Sequence, residues 1–386
     1  MNRVYTIADQ VITGLGTDTE SVWQHMLAGD TGVHLIDDQH LFPEAFHASL
    51  VDTNALEAAY SNSVIKGDFT RFEKLCLLTA LGALQQSHIN PAAADTLFIL
   101  SSTKGNIDLL EKNKKNQYDP ERLFLWHTAR LITGFFRNTN PPIVISNACI
   151  SGVVALTTAY DYLSKGLYKN AVVIGADIAS EFVISGFQSF KSLSTGPCKP
   201  FDLNRDGLNL GEGAAAIVLS TERDQVTEGP ALEICGGASA NDANHISGPS
   251  RTGEGLYLAV KKAMEVSNTL ASDVQFISAH GTATSFNDEM ESKAFAWAGL
   301  SHAPLNSMKG YFGHTLGAAG VIETAITLRS MRRNILLKTL GFAEYGVPEP
   351  INILADHLET ETRCSLKTAS GFGGCNAALI IKKAQQ

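Results

Sequence analysis

Two runs in this 386-residue chain, AVVIG (Ala171–Gly175) and AAAIVL (Ala214–Leu219), contain no polar residue at any position. A strand that is apolar on both faces must be covered on both, as a central strand is between helical layers. Further strand candidates are Thr96–Leu100, Ile143–Ser146, Leu232–Cys235, Val274–Ser278, Cys364–Thr368 and Ala377–Ile381. They alternate with helix-period segments at Glu20–Leu27, Arg71–Ser87, Ile150–Ser164, Gly255–Asn268, Asp288–Ala298 and Leu316–Met331. This alternation predicts the α/β class. The length suits two domains of roughly 150–200 residues each. A polar segment, TERDQVTEG (Thr221–Gly229), separates two strand candidates and sets the expected boundary, giving halves 1–228 and 229–386. In each half a strand runs into a helix rich in small residues, after SNACISG and within PLNSMKGYFGHTLGAAG, so the halves are expected to be structural repeats.

Composition removes several classes. With 44% hydrophobic and 18% charged residues the chain can bury a large core, unlike a disordered one. A net charge of −9 argues against broad nucleic-acid binding, which needs a basic surface. No run approaches the ~18 apolar residues of a membrane span. The N-terminus lacks the charged and apolar regions of a signal peptide. Six cysteines (76, 149, 198, 235, 364 and 375) form no C-x-x-C or zinc spacing, so reduced thiols in a cytoplasm are expected, with no metal site. There is no Walker A sequence and no G-x-S-x-G elbow, and ITGLGT (Ile12–Thr17) is an incomplete dinucleotide loop.

Four segments can carry chemistry. In PPIVISNACISGVVALTTAYDYL, Cys149 follows a strand and precedes a helix, where unpaired N–H groups and the helix dipole lower a thiol pKa from ~8.5 to ~3.5–7.5. The other reading is a small, buried, inert cysteine. In SAHGTATSFNDEMES, His280 follows a strand and Gly281 permits an unusual turn, with the hydroxyls of Thr282 and Thr284 nearby. Asp288 and Glu291, three apart, share a helix face; an acidic helix start alone would also account for them. In NSMKGYFGHTLGAAGVIET, Lys309 and His314 enter a helix whose first turns are Gly317, Ala318, Ala319 and Gly320. Each glycine there costs ~1 kcal/mol of helix propensity. Close approach of another element offsets that, and the helix after Cys149 is the natural candidate. In SGFGGCNAALII, glycines flank Phe372 between two strands, which reads as a hairpin or as a mobile gate.

Taken together, the cysteine at a helix start, H-G-T-x-T, K-x-x-x-G-H-x-x-G-A-A-G and G-F-G-G-x-N-A occur in one order across the chain. With KPFDLNRDGLNLGEGAAAIVL (Lys199–Leu219) and TESVWQHMLAGDTGV (Thr19–Val33), they closely resemble the β-ketoacyl-[acyl-carrier-protein] synthases, elongating condensing enzymes of the thiolase superfamily. The resemblance spans nearly the whole chain. It implies a thiolase fold, with duplicated βαβαβαββ halves in a five-layer αβαβα sandwich. The N-terminal half would carry the nucleophilic cysteine; the C-terminal half would carry the histidine pair, the lysine and the gating phenylalanine.

The implied activity is an acyltransferase reaction, the decarboxylative Claisen condensation of an acyl thioester with malonyl carrier protein, in fatty-acid, polyketide or aryl-polyene biosynthesis. By resemblance Cys149 matches the nucleophile, His280 and His314 the histidine pair, Lys309 the motif lysine and Phe372 the gate. The backbone N–H groups of Cys149 and Phe372 would form the oxyanion hole. Thr282, Thr284 and Ser247 match residues lining the phosphopantetheine tunnel, while Asp288 and Glu291 match acidic residues that hold Lys309 and the loop around it. Two neutral imidazoles donating N–H bonds would stabilise the enolate, each donor contributing ~2.7–4 kcal/mol. No cofactor is implied beyond the carrier's phosphopantetheine. The implied partners are an acyl carrier protein and a second copy of the chain, with a heterodimer as the alternative.

Lys66, Arg71, Lys74 and Lys199 are the carrier-docking candidates by similarity. The chain departs from the family pattern at Ile150, which follows the cysteine, at Lys104, where an apolar residue often lines the acyl pocket, and along Gln117–Asn140. A non-catalytic subunit like the chain-length factors of polyketide systems is the competing reading, and those subunits usually lose the cysteine. A degradative thiolase would present a second thiol, for which Cys375 stands one residue late.

Overall fold

The apolar runs form the interior of a continuous sheet in a computed structural model, which describes residues 1–226, 229–242, 248 and 250–385. The chain begins β1 (Val4–Thr13), α1 (Thr19–Ala28), β2 (His34–Ile36), β3 (Phe46–Ser49), α2 (Thr53–Asn62) and α3 (Arg71–Gln85). It continues through β4 (Thr96–Ser101), α4 (Leu125–Phe135), β5 (Ile143–Ile145), α5 (Ser151–Ser164), β6 (Asn170–Asp177), α6 (Glu181–Ser189), β7 (Leu210–Gly211) and β8 (Gly213–Ser220). Then follow β9 (Leu232–Asn241), α7 (Glu254–Val266), β10 (Phe276–Ser278), α8 (Ser285–Trp297), β11 (Pro304–Asn306) and the one-turn α9 (Lys309–Phe312). The chain closes with α10 (Ala319–Arg333), β12 (Ile335–Leu336), β13 (Asn352–Ile353), β14 (Leu358–Glu359), β15 (Cys364–Gly371) and β16 (Cys375–Lys383).

The main sheet has the order β13-β11-β10-β15-β16-β9-β1-β8-β6-β4-β5. It consists of two mixed sheets meeting where Val4 and Thr6 of β1 pair antiparallel with Ile234 and Leu232 of β9. Away from that seam the strands are parallel, β4 with β5 and β6, and β10 with β11 and β15. Near it they are antiparallel.

Strand period sorts the side chains. In β8, Ala215, Ile217 and Leu219 enter a central core with Leu156 of α5 and Val321 of α10, while Ala214, Ala216 and Val218 enter an outer core with Leu77 of α3. Helices α5 and α10 touch strands of both sheets, α3 covers the outer face of the first sheet, and α7 covers that of the second and packs on α8. The layers are therefore helix, sheet, helix, sheet, helix, the five-layer sandwich expected of a thiolase fold.

The two middle helices meet at Gly152 and Gly320. A Cβ on Gly152 would lie 2.7 Å from the Val321 nitrogen and 2.8 Å from Gly320 Cα. The small residues at the start of α10 thus give up propensity for backbone contact with the helix after Cys149, as their sequence predicts.

The longest strands include one that the pattern does not mark. VYTIADQVIT forms β1, though Asp9 and Gln10 interrupt its apolar run. Asp9 is buried and ion-paired with Arg332 of α10 at 3.0 Å, a partner 323 residues away. Helices α2, α4 and α6 also lie outside the sequence reading. Among the described residues no helix is long and apolar enough to cross a membrane.

Candidate active site

Between β5 and α5 the backbone makes a strained turn. Ala148 has φ 44°, a left-handed conformation costly for a residue with a Cβ. The Ser151 hydroxyl holds the turn, donating to the Ala148 carbonyl (2.6 Å) and accepting from the Asn147 N–H (2.7 Å). This sets Cys149, 7% exposed, just ahead of the first turn of α5. Burial pushes the Cys149 thiol up to about 12, the adjacent Cys375 thiol adds to the rise, and the Lys309 ammonium and the Phe372 backbone N–H oppose it. The lowered thiol expected from the helix start is therefore corrected: in so dry a site desolvation outweighs the helix dipole. At rest Cys149 is therefore a neutral thiol.

Two imidazoles stand beside it. His280 follows β10, and Gly281 (φ 44°) makes the turn that its sequence position suggests; a Cβ there would lie 2.4 Å from Ser307 Cβ. The Glu291 carboxylate accepts the N–H groups of His280 (2.8 Å) and Gly281 (2.6 Å). Asp288 accepts those of Thr282 (3.0 Å) and Phe201 (2.7 Å). Both carboxylates do come from one face of α8. Burial, reinforced by Glu291, pushes Asp288 up to about 7.

His314 is pinned through its backbone, its N–H donating to the Asn209 carbonyl (2.7 Å) and its carbonyl accepting from the Gly211 N–H (2.9 Å). The rings of His280 and His314 are 5.0 Å apart and nearly perpendicular. The Cys149 sulfur and a nitrogen of each ring lie within 4.8 Å of one another. Burial foremost, and then the Lys309 charge, holds both imidazoles well below their ordinary range, so they are neutral at pH 7. The Nδ1 atom of each is buried without a hydrogen-bond partner among the described residues.

Lys309 is fully buried, but Asp288 and Glu291 do not hold it. Its ammonium pairs with one carboxylate oxygen of Glu323 on α10, and the other oxygen takes Lys367 of β15 at 2.6 Å. This corrects the expected role of the α8 acids, which brace the His280 loop instead. The sequence reading misses Glu323, Lys367 and also Asp177. Asp177 accepts from Ser102 Oγ (2.8 Å), the Thr103 N–H and the Gly317 N–H (2.7 Å), tying β4 and β6 to the loop after His314. The available signal is a single charge inside an otherwise uncharged run: VIETA for Glu323, SLKTA for Lys367, VIGAD for Asp177.

Phe372 is in the turn of the β15–β16 hairpin, as the hairpin reading expects, and lines the cavity. Its ring lies 5.4 Å from Phe187 and 5.3 Å from Phe190. The cavity, about 470 Å³, is lined by Cys149, His280, His314, Thr282, Thr284 and Phe372 together with Phe187, Phe190 and Phe286. Thr282 and Thr284 share a hydroxyl–hydroxyl hydrogen bond of 2.8 Å. Ser247 lies outside the described residues. Lys104 is exposed, its ammonium 6.0 Å from the Phe182 ring, and does not line the cavity. Arg71 is not a free docking charge, since both Glu212 oxygens hold it at 2.7 Å. Lys74 pairs with Glu57, whereas Lys66 and Lys199 are exposed.

Comparison with known proteins gives the family. Residues 1–225 match the family model "Beta-ketoacyl synthase, N-terminal domain" and residues 232–343 match "Beta-ketoacyl synthase, C-terminal domain". The chain is similar to 3-oxoacyl-[acyl-carrier-protein] synthase 2 of Staphylococcus aureus, 27% identical over 99% of this chain and 98% of that one. A putative mitochondrial 3-oxoacyl-[acyl-carrier-protein] synthase of Schizosaccharomyces pombe is 31% identical over 62% of this chain and 60% of its own length. In fold this chain is similar to a chain of the Xenorhabdus doucetiae complex of the ketosynthase ApeO with its chain length factor ApeC (TM-score 0.85, 24% identity, 99% of this chain and 98% of that one). The chain belongs to the β-ketoacyl synthase family and is an acyltransferase, a ketosynthase-type condensing enzyme of fatty-acid or polyketide-type synthesis.

Proposed function

We propose that this chain is a catalytic β-ketoacyl-[acyl-carrier-protein] synthase that works through an acyl thioester on Cys149. A neighbouring neutral imidazole takes the Cys149 proton, and the sulfur attacks the incoming thioester carbonyl. The N–H groups of Cys149 and Phe372 receive the tetrahedral oxyanion, and the phosphopantetheine thiol leaves with the proton. A malonyl thioester then enters along Thr282 and Thr284 and loses carbon dioxide. Its enolate oxygen accepts N–H bonds from His280 and His314, and its carbon attacks the acyl carbonyl, expelling Cys149 sulfur. Lys309 acts from behind, as a positive charge close to both imidazoles. The scheme uses no bound cofactor beyond the carrier's own arm.

The observation that supports this reading most is the meeting of a thiol and two neutral imidazoles within 4.8 Å in one cavity. It also disfavours a non-catalytic chain-length-factor role, which has no use for the cysteine. The partners in this reading are an acyl carrier protein and a second copy of the chain, in the cytoplasm. The edge strand β5, IVI, is only half-buried in one protomer, and an apolar sheet edge wants a partner. Light scattering is expected to give about 83 kDa, twice the 41.3 kDa chain; a monomer at all concentrations overturns the homodimer.

The two half-reactions test the chemistry. Cys149→Ala is expected to abolish acyl-enzyme, read by mass, yet still release carbon dioxide from malonyl carrier protein. His280→Ala and His314→Ala are expected to lose decarboxylation by about 10²–10³, the usual effect of deleting an oxyanion donor. Normal condensation by Cys149→Ala refutes the assignment.

A further inference from the structure

Lys367 is an expensive residue where it stands. It lies in the middle of β15, fully buried, in a strand whose neighbours Leu366 and Ala369 pack in cores. A buried ammonium persists only when paired and hydrogen-bonded. The pairing is unusual: Glu323 already holds Lys309, so two ammonium groups share one carboxylate in the dry core. One lysine would satisfy Glu323.

The rest of its environment points toward the histidines. Lys367 is in register with Ser278 at the end of β10, and Nζ donates to the carbonyls of Ser278 (3.1 Å) and Ala279 (3.3 Å), the two residues before His280. The charged and titratable groups around the imidazoles are Cys149 from the start of α5, Lys309 from α9, Glu323 from α10, Glu291 and Asp288 from α8, and Lys367 itself. Of the last five, the two cations act on the His280 ring directly, and on the His314 ring as well.

We propose that Lys367 is a positioning residue of this site: paired with Glu323 and donating to the Ser278 and Ala279 carbonyls, it anchors the strand end that presents His280 and sets a second positive charge beside that of Lys309 behind the two rings. The value of neutral donors rests on the ketosynthase reading above, but the field of Lys367 at the two rings does not.

The test is an NMR titration of the His280 and His314 ring signals in the full-length protein, alongside the pH profile of malonyl-carrier-protein decarboxylation. Lys367→Met strips the charge and both donors and risks unfolding, so Lys367→Gln, which keeps donors without charge, carries the experiment. Its ring titrations are expected to move up in pH, as removal of a like charge predicts, and the acid limb of decarboxylation is expected to move with them. Lys367→Arg, retaining the charge, is expected to restore the wild-type titrations. Ring titrations in Lys367→Gln equal to those of the wild type overturn the proposal, because a merely structural lysine would leave them in place. A wild-type enzyme that releases no carbon dioxide would refute the functional reading instead, while the ring titrations still decide the role of Lys367.

Discussion

Gly152 of α5 and Gly320 of α10 touch backbone to backbone: a Cβ on Gly320 would stand 2.7 Å from the Gly152 carbonyl carbon and 2.4 Å from the Val153 nitrogen. Cys149 is three residues before one of these glycines and His314 six before the other. The crossing therefore sets how far the thiol stands from the imidazole. Gly320→Ala gains helix propensity of ~1 kcal/mol but must push two backbones apart. A net loss of ~1–3 kcal/mol is expected by chemical denaturation, together with slower acylation of Cys149. Unchanged stability and acylation would show that the helices separate freely.

Arg71 and Lys66 separate structure from docking. The Arg71 guanidinium grips both oxygens of Glu212, a side chain only 3% exposed, and donates to the Val51 carbonyl at 2.5 Å. Arg71→Glu puts two carboxylates in contact and is expected to cost ~3–5 kcal/mol, as breaking a buried pair does. Lys66→Glu, at an exposed site, is expected to leave stability within ~0.5 kcal/mol. Its effect should be a raised apparent KM for carrier-bound substrate with small thioesters spared, since rim charges act on association. Equal losses on both substrates would remove Lys66 from the docking surface.

The histidine pair makes stability depend on pH in one direction. Both imidazoles lie below 6.5 when folded, so below pH 6.5 the unfolded chain binds protons that the folded chain refuses. Their contribution is complete above pH 6.5 and is lost as pH falls below it, at up to ~1.4 kcal/mol per imidazole per pH unit. Denaturation curves between pH 5 and 7 measure this slope. His314→Gln, which cannot titrate, is expected to reduce it, and an unaltered slope would place the proton uptake elsewhere.

Phe372 and the thiol can be probed together by iodoacetamide. The ring lies against Phe187 and Phe190 in the cavity lining. Phe372→Ala is expected to speed alkylation of Cys149 several-fold with little change in stability, because the ring is 36% exposed. In both proteins the rate is expected to climb past pH 9, since the resting thiol is pushed up to about 12. A plateau below pH 7 would mean a preformed thiolate.

Period and spacing along the chain carry the class, the central strands and four of the chemical positions. Side chains in β8 alternate between two cores because strand geometry is local, and the run AAAIVL states this without any knowledge of its neighbours. The offsets that set Cys149 at a helix start and His280 after a strand are equally local. Even the contact between α5 and α10 is foreshadowed, because glycines in a helix need a reason.

What lies far apart in the chain was decided only by the fold. β1 pairs with β8 and β9 and can bury Asp9 because Arg332 meets it from 323 residues away. Lys309 finds its carboxylate on Glu323, not on Asp288 or Glu291 of α8, and the same carboxylate recruits Lys367. The protonation of Cys149 follows the same rule. A helix start favours the thiolate in any such sequence, but the cost of desolvation depends on how many layers close over the sulfur, and that is a property of the assembled sandwich alone.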